Sequence, residues 1–304
     1  MSPKTIFILG ASGFIGIALV KEAVSQGYLV RGLSRSEISD SKITQAGGVP
    51  VRGDLTTADV LARESANADT ICYFASAFPN SGVSYDESVK LNNAAVDVIG
   101  AAIEGTNKPL IVASTVLITA PDPNGEETTE GSPEDPTPFY DRSSPSKHAL
   151  AWARRGVRVA TIRLSPAIYG PGDSVISMSS ALAAAVGGVP IVEGGNTQTS
   201  SVHVGDAARL ALLAAEKTPP GECYNCASDN DTTMGEVLTA AANALDLPVK
   251  DLMLEEARAT IGDMFAGYLT TPCRASSNKA RGLLGWQPKE VGILEYYKNF
   301  DKTT

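Results

Sequence analysis

The sequence predicts an α/β fold: a doubly wound parallel sheet followed by a smaller C-terminal region. Three observations predict it. A glycine-rich turn separates an apolar run from a helical segment at the N-terminus. Short β-branched runs then alternate with helical segments through the first half. Beyond residue 170, small and apolar residues keep helical spacing.

The chain has 304 residues, 43% of them hydrophobic and 19% charged, enough for one large domain or two closely joined ones. A net charge of −9 argues against nucleic acid, which needs basic patches to neutralise phosphates. No apolar run is long enough to span a membrane. There is no charged-then-apolar leader, because "TIFILG" is short and runs straight into glycines, so the cytoplasm is the expected location. Cys223 and Cys226 form a C-x-x-C without a second Cys/His pair, and "GECYNCAS" reads as a strand. Packing is therefore expected of them, and no metal site.

In the first unit, residues 5–9 form a buried strand, residues 15–26 a helix capped by Gly27, and residues 28–33 a second strand. Gly10, Gly13 and Gly16 lie between strand and helix. One glycine permits the sharp turn, one lets backbone N–H groups approach a pyrophosphate, and one lets the helix pack closely. The helix N-terminus favours the anion. Set within a strand–turn–helix, the motif predicts a Rossmann-type dinucleotide site, with Ser12, Phe14 and Ile15 inside it.

At the tip of the second strand, Ser34, Arg35 and Ser36 stand where an NAD site needs a carboxylate for the ribose hydroxyls. An arginine flanked by hydroxyls suits a 2′-phosphate, so NADP(H) is expected over NAD(H). Further strands end at Asp54-Leu55, Ala75-Ser76 and Ser114-Thr115. Ligands of doubly wound sheets lie outside the carboxyl ends of strands, which makes all six cleft candidates.

Taken together, these phrases resemble the extended short-chain dehydrogenases/reductases, the NAD(P)-dependent epimerase/dehydratase group. "GASGFIG" resembles the cofactor loop, "GDL" at 53–55 the adenine-contacting turn and "YFASA" the segment along the cofactor. Asn92 falls on the group's helix asparagine, and "YGPG" at 169–172 and "SNKARGLLGWQP" resemble its later phrases. The resemblance implies a cofactor domain over residues 1–170 with a return segment at about 201–226. Residues 171–200 and 227–304 then form a substrate-binding region. It places the catalytic hydroxyl on Thr115, beside Ser114, and the lysine that holds the nicotinamide ribose on Lys147.

The group's tyrosine falls on Ser143, and there the pattern fails. A phenol titrates near ~10 and a neighbouring lysine brings it towards neutrality, but a serine hydroxyl starts far higher. Tyr140, seven residues before Lys147, is one replacement acid; Tyr169, His203, His148 or a water relayed by Thr115 and Lys147 are others. Pro145 must lie in the first turn of the helix, which makes Ser143 or Ser144 the expected N-cap. Residues 119–146, rich in Pro, Asp, Glu and Ser/Thr, form a lid or a surface loop.

Nucleotide-sugar members carry an arginine where this chain has Thr199, Ser200 and Ser201. A neutral, moderately apolar small molecule is the expected substrate, with Ser114, Tyr169, His203, Met264, Phe265 and Tyr268 in its pocket. The expected activity is an NADP(H)-dependent oxidoreductase of a small non-nucleotide carbonyl or alcohol. The alternatives are a redox-neutral isomerase, epimerase or lyase, and a non-catalytic NADP-binding regulator. The sequence leaves the oligomeric state open, a homodimer included.

Overall fold

The computed structural model describes residues 3–76, 82–138 and 141–300. Six strands alternate with helices from the N-terminus: β1 (Thr5–Leu9), α1 (Phe14–Ser25), β2 (Leu29–Ser34), α2 (Glu37–Gln45), β3 (Val49–Arg52), α3 (Ala58–Asn67), β4 (Thr70–Tyr73), α4 (Tyr85–Ala102), β5 (Pro109–Thr115), α5 (Ser143–Leu150) and β6 (Arg158–Leu164). The chain continues with β7 (Ala167–Tyr169), α6 (Ser174–Val186), β8 (Val189–Val192), β9 (Gln198–His203), α7 (Val204–Lys217) and β10 (Glu222–Cys226). It ends with β11 (Asp229–Thr233), α8 (Met234–Leu245), β12 (Val249–Leu252), α9 (Leu254–Thr270) and α10 (Ile293–Lys298).

Seven parallel strands form the main sheet in the order β10-β6-β5-β4-β1-β2-β3. The expected doubly wound α/β class is observed. Strand alternation explains why both faces are buried. In β1, Ile6 and Ile8 join the core against α1 and α7, while Phe7 and Leu9 join the core that holds Leu61, Ile99 and Trp152. Order reverses between β1 and β4, so the crevice for a ligand opens at their C-terminal ends.

The return segment supplies α7 and β10 to this body. Two small sheets, β11-β9-β7 and β12-β8, pack with α6, α8, α9 and α10 around a second core that includes Tyr169, Val237 and Tyr297. None of the described helices is long and apolar enough to cross a membrane.

Local expectations shift in two places. The first helix and second strand begin at Phe14 and Leu29, each one residue from the expected start; Gly27, at φ +83°, follows the helix end as expected. The N-cap of α5 is Arg142, not Ser143 or Ser144. Asp141 supplies the missing acceptor, since its Oδ1 takes the Ser144 N–H at 3.0 Å, and the helix therefore starts one residue earlier. Pro145 does fall in the first turn.

Ahead of α5, the described part of residues 119–142 carries turns and isolated bridges, and the body pins it at several points. Thr128 N–H donates to Arg274 O at 2.8 Å, Arg274 Nη1 to Gly125 O at 2.6 Å, and Asn225 N–H to Glu130 Oε1 at 2.7 Å.

Candidate active site

A trough runs across the carboxyl ends of the strands. Its outer half, a cavity of about 340 Å³, is lined by Gly10, Ser12, Gly13, Arg35, Asp54, Leu55, Ala75 and Ser76, with Leu33, Thr56, Phe74, Val83 and Leu91. Its inner half, about 310 Å³, shares Phe74, Ala75 and Ser76 and adds Ile15, Tyr73, Tyr85, Asn92, Ser114, Thr115, Arg142, Pro145, Ser146 and Leu164 among its walls.

The outer half fits a dinucleotide on two observations. Gly10 has φ +81°, and a Cβ there would lie 2.5 Å from Phe74 O. A Cβ on Gly16 would collide with Gly10 O. Gly10 lets the turn close on the chain that leaves β4, and Gly16 lets α1 pack on the turn. The N-terminus of α1 also has no side-chain cap, whereas α4 and α8 carry complete capping boxes. Its first-turn N–H groups therefore face the trough as donors for an anion.

Of the three residues at the β2 tip, only Arg35 lines the trough. Ser34 is buried and donates its hydroxyl to Ser36 O at 3.1 Å, while Ser36 Oγ caps α2 by accepting the Ser39 N–H at 3.2 Å. Their hydroxyls shape the turn instead of flanking a phosphate. Asp54 Oδ1 accepts from the Thr56 hydroxyl at 2.7 Å, the Thr56 N–H at 2.8 Å and the Thr57 hydroxyl at 3.0 Å. The Thr56 hydroxyl bond, followed by the backbone one, holds its carboxyl below the usual range.

At the inner half, α5 lines the trough with a face next to the one that carries Ser143 and Lys147. Arg142 and Ser146, four apart and so on one face, line the trough. Ser146 is buried, and Ser114 Oγ donates to its Oγ at 3.4 Å. Ser143 and Lys147 stand about 100° further round the helix. Ser143 donates to Asp141 Oδ1 at 3.2 Å, and Lys147 Nζ pairs with Glu134 Oε2 at 2.6 Å. His148 and Trp152 both meet Asp97 of α4, at 2.8 and 3.1 Å, away from the trough.

Thr115 Oγ1 accepts the Leu117 N–H at 3.2 Å, which leaves its hydroxyl hydrogen to point at a ligand. Tyr73 donates to Asn92 Oδ1 at 3.0 Å, and burial pushes its phenol well up. Tyr85, at the start of α4, donates to Asp141 O at 2.9 Å beside Arg142. Tyr140 lies outside the described residues.

Of the expected pocket residues, Ser114 lines the trough. Tyr169 does not: it is 1% exposed and its hydroxyl donates to Val291 O at 2.6 Å. His203 caps α7, with Nδ1 accepting the Gly205 N–H at 3.1 Å, and packs edge-on to Tyr169 at 5.3 Å. On α9, Phe265 and Tyr268 pack on the second core, Tyr268 donating to Pro166 O at 3.0 Å. Met264, two residues past the α9 break at Gly262, is half-buried and also off the trough wall. Arg142, Ser146 and Tyr85 were missed; only the four-residue spacing of the first two was available as a signal.

All four cysteines are free thiols. Three residues apart on β10, Cys223 and Cys226 point to opposite faces of the sheet, which suits packing and not chelation. Burial pushes the Cys72 thiol up to about 12. No group of three or more His, Cys, Asp or Glu gathers into a metal-binding cluster among the described residues.

Residues 6–227 match the model of the NAD dependent epimerase/dehydratase family. The chain is 33% identical over 290 residues to an uncharacterized protein of Schizosaccharomyces pombe, covering 95% of this chain and 96% of that one. It is 26% identical to a 2-alkyl-3-oxoalkanoate reductase of Stenotrophomonas maltophilia, covering 81% and 77%. The fold is also that of Thermus thermophilus UDP-glucose 4-epimerase, solved in complex with NAD, at TM-score 0.75 and 19% identity over 97% of this chain and 99% of that one. The chain thus belongs to the NAD dependent epimerase/dehydratase family, within the extended short-chain dehydrogenases/reductases.

Proposed function

We propose that the protein is an NADP(H)-dependent reductase or dehydrogenase of a small, non-nucleotide carbonyl or alcohol. The observation that carries this reading is the single trough. One end has the uncapped α1 N-terminus and Arg35, and the other end has the hydroxyls of Ser114, Thr115 and Ser146. The reductase name of the Stenotrophomonas relative supports it. Bound NADPH would supply hydride at nicotinamide C4.

Arg35 holds the 2′-phosphate, and the α1 N-terminus and the Gly10–Gly13 turn hold the pyrophosphate. Thr115 donates its hydroxyl to the substrate oxygen and so polarises the carbonyl. Reduction consumes one proton, delivered to that oxygen by a phenol: Tyr85, on the trough wall, or Tyr140. A small-molecule substrate in the cytoplasm completes the proposal.

The test is purified protein with NADPH and a panel of carbonyl compounds. Oxidation of one NADPH per carbonyl reduced is the expected result. Product without net oxidation would replace this reading with the redox-neutral one, and tight NADPH binding with no turnover of any compound would leave a regulator.

A further inference from the structure

We infer that Ser146 donates a second hydrogen bond to the reacting oxygen and that Ser114 aims it, so that Thr115 and Ser146 together stabilise the oxyanion formed when hydride arrives. This inference rests on the reductase reading and adds a catalytic residue, Ser146, to it.

Two hydroxyls on the inner wall share one arrangement. Thr115 Oγ1 accepts the Leu117 N–H at 3.2 Å, and Ser146 Oγ accepts the Ser114 hydroxyl at 3.4 Å. A hydroxyl has one proton to give and two lone pairs to receive others. Each of these oxygens has taken a proton from the protein, and among the described residues neither hydroxyl has an acceptor for its own. Both residues line the same cavity of about 310 Å³, Thr115 from the end of β5 and Ser146 from α5. Ser114 joins them, since it precedes Thr115 in the strand and reaches Ser146 on the helix. Ser146 is buried. A buried hydroxyl proton without a partner is costly, and a ligand oxygen in the cavity removes that cost.

The number of donors matches the chemistry. A carbonyl oxygen carries two lone pairs, and hydride transfer to its carbon gives an alkoxide with three. Thr115 and Ser146 fill two of them, and the third takes the proton from the phenol. Hydrogen bonds to a charged oxygen are roughly twice as strong as those to a neutral one. Both donors therefore hold the developing alkoxide more tightly than the carbonyl, which lowers the barrier and does more than bind substrate. Ser114 touches no reacting atom. It is a positioning residue: by giving its own proton to Ser146 Oγ, it leaves the Ser146 proton for the cavity.

4-Nitrophenol tests this, because its phenolate mimics the alkoxide and reports binding through its visible absorbance. NADP⁺-loaded wild type should bind the phenolate more tightly than the neutral phenol, so that the bound probe ionises at lower pH than the free one. Ser146→Ala should weaken phenolate binding by about tenfold or more, as the loss of a charge-assisted hydrogen bond requires, and Ser146→Thr should restore part of it. Ser114→Ala should weaken it by about three- to tenfold. NADP⁺ affinity should stay within about threefold of wild type in all three variants. A merely structural Ser146 would leave the ionisation of the bound probe unmoved. No phenolate binding by the wild type, or equal binding by Ser146→Ala, would overturn the inference. If Ser146→Ala unfolds, Ser114→Ala decides: a loss keeps the inference and no loss sinks it. The two readings fail separately. Phenolate binding that depends on Ser146, with no carbonyl of the panel reduced, sinks the reductase and keeps the donor, whereas NADPH oxidation that Ser146→Ala leaves unchanged does the reverse.

Discussion

Lys147 Nζ lies 2.6 Å from Glu134 Oε2, and both side chains stand in solvent, at 63% and 40% exposure. The lysine bond is the main cause that holds the Glu134 carboxyl below its usual range. The pair therefore turns Lys147 towards the 119–142 segment and leaves Ser146 against Ser114. An exposed ion pair contributes only about 0–1 kcal/mol. Lys147→Ala should lower unfolding stability by no more than that, and should change NADPH affinity less than about fivefold. Ser146→Leu, which pushes a larger side chain into the wall, should weaken NADPH binding by about tenfold or more. Fluorescence titration reads both. A tenfold loss in Lys147→Ala would show instead that the lysine leaves Glu134 for the ribose.

Of the three residues at the β2 tip only Arg35 lines the trough, because Ser34 is buried and Ser36 caps α2, so the proposed preference for NADP(H) rests on it. A charge-assisted contact to phosphate contributes about 1.5–3 kcal/mol. Arg35→Ala should therefore weaken NADPH binding by roughly ten- to a hundredfold, and NADH binding by less than about threefold. Equal losses for the two cofactors would mean that Arg35 meets the shared part of the molecule.

The outer half of the trough was legible in the sequence because its residues are local to strand ends. Gly10, Gly13, Arg35, Asp54 and Ala75 each follow a strand whose apolar run marks it, and topology alone brings those ends together. The inner half was less legible, because it depends on the rotation of one short helix. Asp141 in place of a serine cap starts α5 a residue early, and the inward face becomes Arg142 and Ser146. Residue type singled out Lys147, but helix phase decides which side chains face the trough. Tyr169 and His203 were misread for another reason. They are polar aromatics at the ends of β7 and β9, and the Tyr169 hydroxyl is spent on Val291 O and His203 Nδ1 on the α7 cap. Both partners come from parts of the chain that local pattern does not connect with the trough.

Two phenols compete for the proton step. Tyr85 lines the inner half and its hydroxyl donates to Asp141 O at 2.9 Å; Tyr140 stands close by in sequence. General acid catalysis contributes about 10²–10⁴-fold. The donor's Phe variant should thus lose at least about a hundredfold in kcat with a carbonyl substrate, and should lose the alkaline limb of the pH–rate profile. NADPH affinity should hold within about threefold. The other Phe variant should keep the wild-type profile. Retention of both activity and profile in each single variant would remove the phenols and leave water as the donor.

His203 gives the fold a pH dependence of its own. Burial, the largest cause, lowers its pKa below 6.5, while Glu290 and Asp206 act to raise it and Arg209 to lower it. Its Nδ1 must stay unprotonated to accept the Gly205 N–H that caps α7. A base with a depressed folded pKa binds fewer protons folded than unfolded. Its stabilisation is thus complete above the unfolded value, near ~6.5, and is lost as pH falls towards the folded one. Thermal unfolding of the wild type should weaken as pH falls from about 7 towards 5.5. His203→Asn keeps an acceptor for the cap but no titrating ring. The variant should start about 0.5–2 kcal/mol less stable at pH 7.5 through lost packing on Tyr169 and Tyr296. The gap to wild type should narrow on acidification, as only the wild type loses its neutral ring. Parallel melting curves for the two proteins across that range would show that His203 does not titrate with unfolding.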